Sequence, residues 1–398
     1  MSRTFDLIVG GGQLLDPATN REGRFDLGIS GGRVTAVERS LPAQSSAQYL
    51  DVKGQLVVPG LVDLHTHLYE GSTYWGIDPD PIAWRTGVTT WVDAGSAGAY
   101  NLRGFRRRTQ DMKVRTWAFL NISAVGLVGE TGEARDISLC DPLLTTAAAR
   151  QYSDLVVGVK CRIDSSTVGS NGIESLRRAR AAATAAGVPL MVHIGEGPPL
   201  LEEVLELLRP GDILTHCATP HSMRLIDQHA HLRDGVRRAV DEGLLLDVGH
   251  GMGSFSFEVA ETLIAQDCQP HVISTDLHAL NVDGPVGDLP TCLSKFLALG
   301  MPLRSIIQAV TTTPARAIGI DALVGSLAIG RAADIAVFRI EEGSFRLYDV
   351  NNDSRDVPRM FRNTLTLYEG VPLPAREADP PPLWSSSPAS SQVSEPAT

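Results

Sequence analysis

The sequence predicts an α/β protein: a (β/α)8 TIM-type barrel carrying a small β-sandwich domain built from both chain ends. Three observations predict it. Eight apolar, strand-like segments follow one another through the middle of the chain, with helical segments between several of them. Both ends are instead rich in short strands and turn signals. Polar residues also recur at the C-terminal ends of the middle strands, where a barrel gathers its active site. That recurrence favours a barrel over the rival doubly wound open sheet.

The first 58 residues read "FDLIVGGGQLLDP", "RFDLGISGGRVTAV" and "YLDVKGQLVVPG", short strands parted by Gly, Asp and Pro. The "GGGQ" at 10–13 sits in this hairpin context with no Lys-Ser/Thr after it, so it is not a phosphate loop. Residues 323–374 look alike, with "GSLAIGRAADIAVFRI", "FRLYDV" and "TLTLYEGVPL". Two β-rich ends around a different middle predict one discontinuous domain, 1–58 with 323–374.

Between them, 59–322 is the predicted barrel. Its strands are "LVDLHTH" (61–67), "VTTWVDAG" (88–95), "TWAFLNIS" (116–123), "LVVGVKCR" (155–162), "PLMVHIG" (189–195), "DILTHC" (212–217), "LLLDVGHG" (244–251) and "HVISTDLH" (271–278). "NGIESLRRARAAATAAG" is a helix with Ile173, Leu176 and Ala183 on one face and Gly187 as its stop. "PLLEEVLELLRPG" and "FSFEVAETLIAQD" behave likewise. From Ala375 to Thr398 the chain is rich in Pro and Ser and poor in apolar residues, which predicts a disordered tail.

Composition narrows the function. Among 398 residues, 43% are hydrophobic and 20% charged, enough for a large core. The net charge is −11, and no basic run exceeds Phe105–Arg108, so neither nucleic acid nor an anionic membrane is an expected partner. No apolar stretch is long enough to span a bilayer, and the N-terminus lacks the apolar core of a signal peptide. Five cysteines, odd in number and without C-x-x-C spacing, read as reduced thiols in a cytoplasmic protein.

The chemistry-bearing residues fall at strand ends. His65 and His67 close the first strand, Lys160 lies near the end of the fourth, His193 ends the fifth, His216 the sixth, and Asp276 lies near the end of the eighth. Two residues apart, His65 and His67 share a face, expected to be the barrel interior, with Val62, Leu64 and Leu68 turned to the helix layer. A single histidine at such a place is commonly just a hydrogen-bonded polar residue. Four histidines, a lysine and an aspartate on five strands of one barrel are not explained that way. Imidazole and carboxylate are the ligand set of Zn, Mn, Fe or Ni. Cys217 follows His216 and points the other way, as core filler. Lys160 stands out within an apolar strand, since lysine is almost never fully buried unpaired. It is either half of an ion pair with an acid such as Asp276 or Asp93, or a neutral amine, because burial lowers an ammonium pKa.

"GLVDLHTH", the strand-four lysine, the two single strand-end histidines and the strand-eight aspartate resemble the amidohydrolase superfamily, over the whole chain except the tail. "GHGMGSFSFE" (249–258), "STDLHAL" (274–280) and "LSKFLALGM" (293–301) are similar to its amidohydrolase/deacetylase group, whose members remove acetyl groups from small acylated carboxylates. The resemblance implies two divalent metal ions, Zn first and Mn, Fe or Ni as alternatives. It assigns His65, His67 and Asp276 to one ion and His193 and His216 to the other. Lys160, carboxylated by carbon dioxide, bridges both. It further implies a metal-bridging hydroxide that attacks the acyl carbon, with Asp276 as the catalytic general base and then general acid.

Arg162 shares the Lys160 face and is the leading candidate to clamp a substrate carboxylate, against a simple loop salt bridge. His250 in the Gly-rich "GHGMGSF", His278 two beyond Asp276, and Tyr69 in "LYEG" are further substrate candidates. His221, His229, His231 and His271 are read as non-ligands. The expected partner is a small acylated molecule, with a homo-oligomer left open. Two alternatives stand beside the deacetylase-type hydrolase: a cyclic-amide hydrolase like dihydroorotase or hydantoinase, and an inactive binding or scaffold protein.

Overall fold

The computed structural model describes residues 4–284 and 286–376, so most of the predicted tail lies outside the described residues. Seven parallel strands form one curled sheet in strict chain order: Leu61–Thr66, Val88–Ala94, Arg115–Asn121, Val156–Arg162, Leu190–His193, Ile213–Thr215 and Leu245–Asp247. Parallel neighbours need a crossover each time. Helices Leu102–Asp111, Pro142–Gln151, Glu174–Ala186, Asp234–Asp241 and Phe257–Ala265 are among those that supply them. Glu174–Ala186 behaves as its pattern predicts. It buries Leu176, Ala179 and Ala183, and it stops at Gly187, which takes the left-handed φ of +73° that favours glycine.

The eighth predicted strand is not a regular one. Its segment, 271–278, makes one parallel bridge to each edge of the sheet, Val272 with Asp247 and Leu277 with Thr66. The backbone N–H of Val248 donates to Val272 O (3.0 Å) and that of His67 to Leu277 O (2.9 Å). A local cause interrupts the strand: Asp276 sits at φ +52°, outside extended backbone. The sixth strand likewise stops two residues short of its predicted end, because His216 lies at φ +70°.

The interior corrects one expectation. Val62 and Leu64 do not face the helices; they pack with Val92, Ala94, Phe119, Met191 and Ile213, and the sulfur of Met191 touches Lys160 Nζ at 3.4 Å. Both residues therefore point inward. His65 also turns inward because the pairing register of the first strand slips between Asp63 and Thr66, which breaks the simple alternation.

The chain ends meet as predicted. A four-stranded sheet holds Arg33–Glu38, Asp26–Ser30, Phe5–Gly10 and Ser46–Asp51. A six-stranded sheet seats the N-terminal strand Leu56–Pro59 beside the C-terminal strand Ile335–Tyr348. Leu7, Leu27, Ile29, Val34, Val57, Ile335 and Leu367 form the core of this part. The hairpin of Ile335–Tyr348 with Ser354–Tyr368 is longer than the short strands expected. Its outer half leaves the small sheet and lies along helix Leu289–Ala298, where Phe361 N–H donates to Ser294 Oγ (2.9 Å).

Candidate active site

Each candidate ligand reaches the site from the C-terminal end of a strand or the residues just beyond it. His65 Nε2 lies 3.2 Å from both Lys160 Nζ and Asp276 Oδ1. His67 Nε2 lies 3.0 Å from the same carboxylate oxygen. His216 Nε2 lies 2.7 Å from His193 Nδ1. The inner atoms of His65, His216 and Asp276 all fall within 4.8 Å of one another. Asp276 and His216 hold their positions at positive φ, backbone that non-glycine residues rarely adopt and that clusters at functional sites.

The hydrogen bonds behind the rings fix where their protons sit. His216 Nδ1 must donate, because its partner 2.6 Å away is the carbonyl oxygen of Gly249. Its inward Nε2 is therefore a bare lone pair. Thr215 Oγ1 donates to Asp247 Oδ2 (2.7 Å) and so accepts from His65 Nδ1 (2.9 Å), which leaves His65 Nε2 bare as well. His193 turns Nε2 toward Asp164 (3.4 Å) and its Nδ1 inward. Ser96 Oγ backs His67 Nδ1 at 3.0 Å. The bare Nε2 of His216 thus faces His193 Nδ1 at 2.7 Å, and that of His65 faces a carboxylate oxygen at 3.2 Å. A bare imidazole nitrogen and a carboxylate oxygen opposed in this way repel unless a cation lies beside them. Outward bonds that orient inward imidazoles are also the usual second layer of a metal centre. The donor set fits divalent cations.

Charge agrees with that fit at His193 and His216, whereas at His65 burial and Lys160 work downward but Asp276 and Asp247 outweigh them and raise the ring above its ordinary value. Burial, reinforced by neighbouring cationic side chains, holds His193 well below the ordinary histidine pKa, and burial reinforced by His193 does the same for His216. Burial works to raise Asp276, but the imidazoles of His65 and His67 outweigh it and keep the carboxyl well below its usual range. Lys160 is fully buried, and burial pushes it down to about 8. Among the described residues no carboxylate lies within 4.0 Å of Lys160 Nζ, so the ion pair with Asp276 or Asp93 is absent. Asp93 instead accepts the backbone N–H groups of Leu68, Gly95 and Ser96.

Above these groups lies a cavity of about 140 Å³. Arg162, His278 and Trp75 line it together with Met252, Gly253 and Ser254. Arg162 is clamped by Glu133, with Nε and Nη2 each 2.7 Å from a carboxylate oxygen, and Nη2 also reaches Glu130 O at 3.2 Å. The loop salt bridge and the cavity position coexist. His278 packs edge-on against Trp75 at 4.7 Å, with Nδ1 accepting Leu280 N–H.

Two expected substrate residues do not reach the cavity. Tyr69 turns into the helix layer, where its ring meets Phe105 at 5.1 Å and its hydroxyl donates to Asn101 O. His250 is wholly buried, with Nδ1 donating to Gly251 O (2.8 Å) and Nε2 accepting from Lys295 Nζ (2.7 Å). Tyr69 is turned away from the cavity, and both nitrogens of His250 are engaged. Sequence reasoning missed the groups that orient the ligands, Thr215, Asp247, Asp164 and Ser96, and the walls Trp75, Met252 and Ser254. Asp247 carried a readable signal, an acid inside the apolar strand "LLLDVGHG".

Residues 56–359 match the Amidohydrolase family. A deacetylase of Agrobacterium fabrum is 40% identical over 84% of this chain and 83% of its own length. A deacetylase of Enterococcus faecalis is 33% identical over 92% of this chain and 98% of its own. A crystal structure of a dihydroorotase superposes with a TM-score of 0.86 at 36% identity, covering 94% of this chain and 99% of that one. Matches of this extent mean that this chain belongs to the amidohydrolase family and is a hydrolase acting on C–N bonds.

Proposed function

We propose that the chain is a binuclear metal-dependent hydrolase that cleaves an acyl amide or ester bond, in the manner of a deacetylase, in a small carboxylate-bearing substrate. One observation carries the reading: Lys160 is buried without an acid partner, beside inward-facing imidazole lone pairs and one carboxylate. A neutral amine adds carbon dioxide. An N–C bond forms as one C=O π bond of the carbon dioxide opens, a proton passes from the nitrogen to water, and a would-be cation becomes a carbamate whose single negative charge is shared by two oxygens. His65, His67 and Asp276 would hold one ion, His193 and His216 the other, and carboxylated Lys160 both. Zinc suits this set first, with Mn, Fe or Ni as alternatives. When bound, such ions supply Lewis acidity toward the acyl oxygen and acidify a water.

The remaining tasks fall to the chain's own side chains. Asp276 takes the proton of the attacking water and returns it to the leaving nitrogen or oxygen. Arg162, steadied by Glu133, offers its remaining nitrogen to the substrate carboxylate. His278, Trp75 and Met252 close the walls. The space of about 140 Å³ is well under the ~300–1,000 Å³ of pockets for drug-sized ligands. The cavity therefore suits a short acid with a small acyl group.

The same reading covers the architecture. The segment 271–278 acts as the eighth stave of a closed (β/α)8 barrel spanning 59–322, and 1–58 with 323–374 form the sandwich. Five buried, unpaired cysteines support a reducing, cytoplasmic setting.

The relatives named deacetylase support an open acyl group. The dihydroorotase-titled neighbour favours a second reading, a cyclic-amide hydrolase. A screen of zinc-loaded protein separates them: N-acetyl and O-acetyl acids of both hands in one arm, dihydroorotate and hydantoin in the other. Turnover of acetylated acids is expected. Turnover of the cyclic amides alone would overturn the deacetylase reading.

A further inference from the structure

We propose that Lys295 is a positioning residue: bonded to His250 at one side and to the tip of the C-terminal hairpin at the other, it sets the loop 249–254 that walls the cavity and backs His216. The inference rests on reading that cavity as the reaction site.

The geometry is a continuous path. Lys295 Nζ donates to His250 Nε2 and to the carbonyl of Tyr348, each at 2.7 Å. Burial pushes Lys295 down to about 8, as it does Lys160, but Lys295 Nζ has two acceptors and lies 5.4 Å from the ring centre of Phe255 and 5.9 Å from that of Phe257, faces that favour the cation. His250 stacks on Phe255 at 4.5 Å, and its other nitrogen holds Gly251 O. Both ring nitrogens therefore fix loop conformation. The hairpin tip adds two more ties: Asp349 Oδ2 accepts Phe257 N–H (2.9 Å), and Val350 N–H donates to Phe255 O (3.1 Å).

What the loop carries makes its position matter. Its Gly249 carbonyl fixes the proton on His216, and Met252, Gly253 and Ser254 line the cavity. A Cβ built on Gly251 would come within 2.7 Å of Asp276 Oδ2, so the loop backbone already lies against that carboxylate. A shift of His250 has no slack to absorb it.

The test uses the full chain and three variants: Lys295→Met, His250→Phe and the double variant. Hydrogen exchange of residues 249–256 and bound zinc per chain are measured for each, together with kcat and KM on whichever acid the screen above identifies. A buried charge-assisted hydrogen bond contributes about 1.5–3 kcal/mol, so Lys295→Met should raise exchange in 249–256 by roughly 10- to 100-fold. The helices Leu102–Asp111 and Glu174–Ala186 should stay unchanged. kcat/KM should fall more than zinc content does. The double variant replaces both partners by apolar groups and should be no worse than either single one, the non-additivity of a linked pair; it also keeps the test alive if Lys295→Met folds poorly. Unchanged exchange in the loop, an increase spread evenly over the molecule, or additive effects would each overturn the proposal. Exchange and zinc need no substrate, so their failure sinks the role of Lys295 alone, whereas inactivity on every acylated acid sinks the deacetylase reading alone.

Discussion

Lys160 is the residue on which the proposed chemistry turns, and it was legible because it is anomalous. A lysine in an apolar strand asks for a partner, and the partners found are His65 Nε2 and the Met191 sulfur rather than an acid. Lys160→Ala should lose bound zinc and activity together while the protein stays folded. Metal content by mass spectrometry and turnover would both recover partly on adding propionate, which can enter the vacated space and supply two oxygens. Full activity with two metals in that variant would remove the bridging role. Tyr69 and His250 stand apart from the cavity for a related reason. Their type and position after a strand suggested the cavity, but the direction of each ring is fixed by partners distant in sequence, Asn101 and Lys295. Nothing local to "LYEG" or "GHGMG" encodes those contacts. The inner candidate groups needed no such knowledge, since strand-end placement alone brings them together.

At the scale of elements, strand rhythm was readable and its interruptions were not. Seven strands fall where apolar runs predicted them. The eighth frays because Asp276 is left-handed, and the first slips register before His65. Both irregularities aim candidate ligands, and neither has a signature in residue type. The glycine loop after the seventh strand is the clearest case of an element shaped by the site. Gly249 has φ +44°, and a Cβ there would meet Thr215 Oγ1 at 2.4 Å and the Nδ1 atoms of His65 and His216 at 3.0 Å. Gly253, four residues on, has no left-handed φ, and a Cβ on it would find its nearest neighbour at 3.9 Å, His221 Nε2. Gly249→Ala should therefore cost about 1–3 kcal/mol in backbone strain and weaken zinc binding about 10- to 100-fold by displacing the bonds behind two ligands. Gly253→Ala should leave both nearly unchanged. Zinc titration and urea unfolding of the two variants check this, and equal behaviour would mean that the loop does not set the ligands.

For the whole molecule, the sequence showed that two β-rich ends meet, but not how firmly they are fastened to the middle. One core cluster contains Val58, Phe338 and Phe361 from the ends together with Trp91, Phe105 and Leu176 from the middle, so both parts share apolar burial. Arg115, the first residue of the third strand, adds an electrostatic tie at the sheet end opposite the cavity. It pairs with Asp334 through Nη1 and with Glu369 through Nη2 at 2.9 Å. Burial raises the Asp334 carboxyl above its ordinary value, and Arg115 opposes that rise. Arg115→Met keeps the apolar stem and removes that opposition, leaving a buried carboxylate with the Glu369 N–H but no cation. Breaking such a pair costs about 3 kcal/mol. The sign of the pH dependence follows from linkage. With Asp334 raised further in the folded variant, the unfolded chain ionises first as pH rises. The folded state loses stability from the unfolded carboxyl pKa, about 4, up to the raised folded one, and the full penalty applies above that. The gap between wild type and Arg115→Met in urea unfolding should be about 3 kcal/mol at pH 8 and smaller by at least about 1 kcal/mol at pH 5. Activity per folded molecule should not change, because Arg115 lies far from the ligands along its strand. A gap that stays constant or widens toward pH 5 would show that Asp334 is not the group Arg115 neutralises.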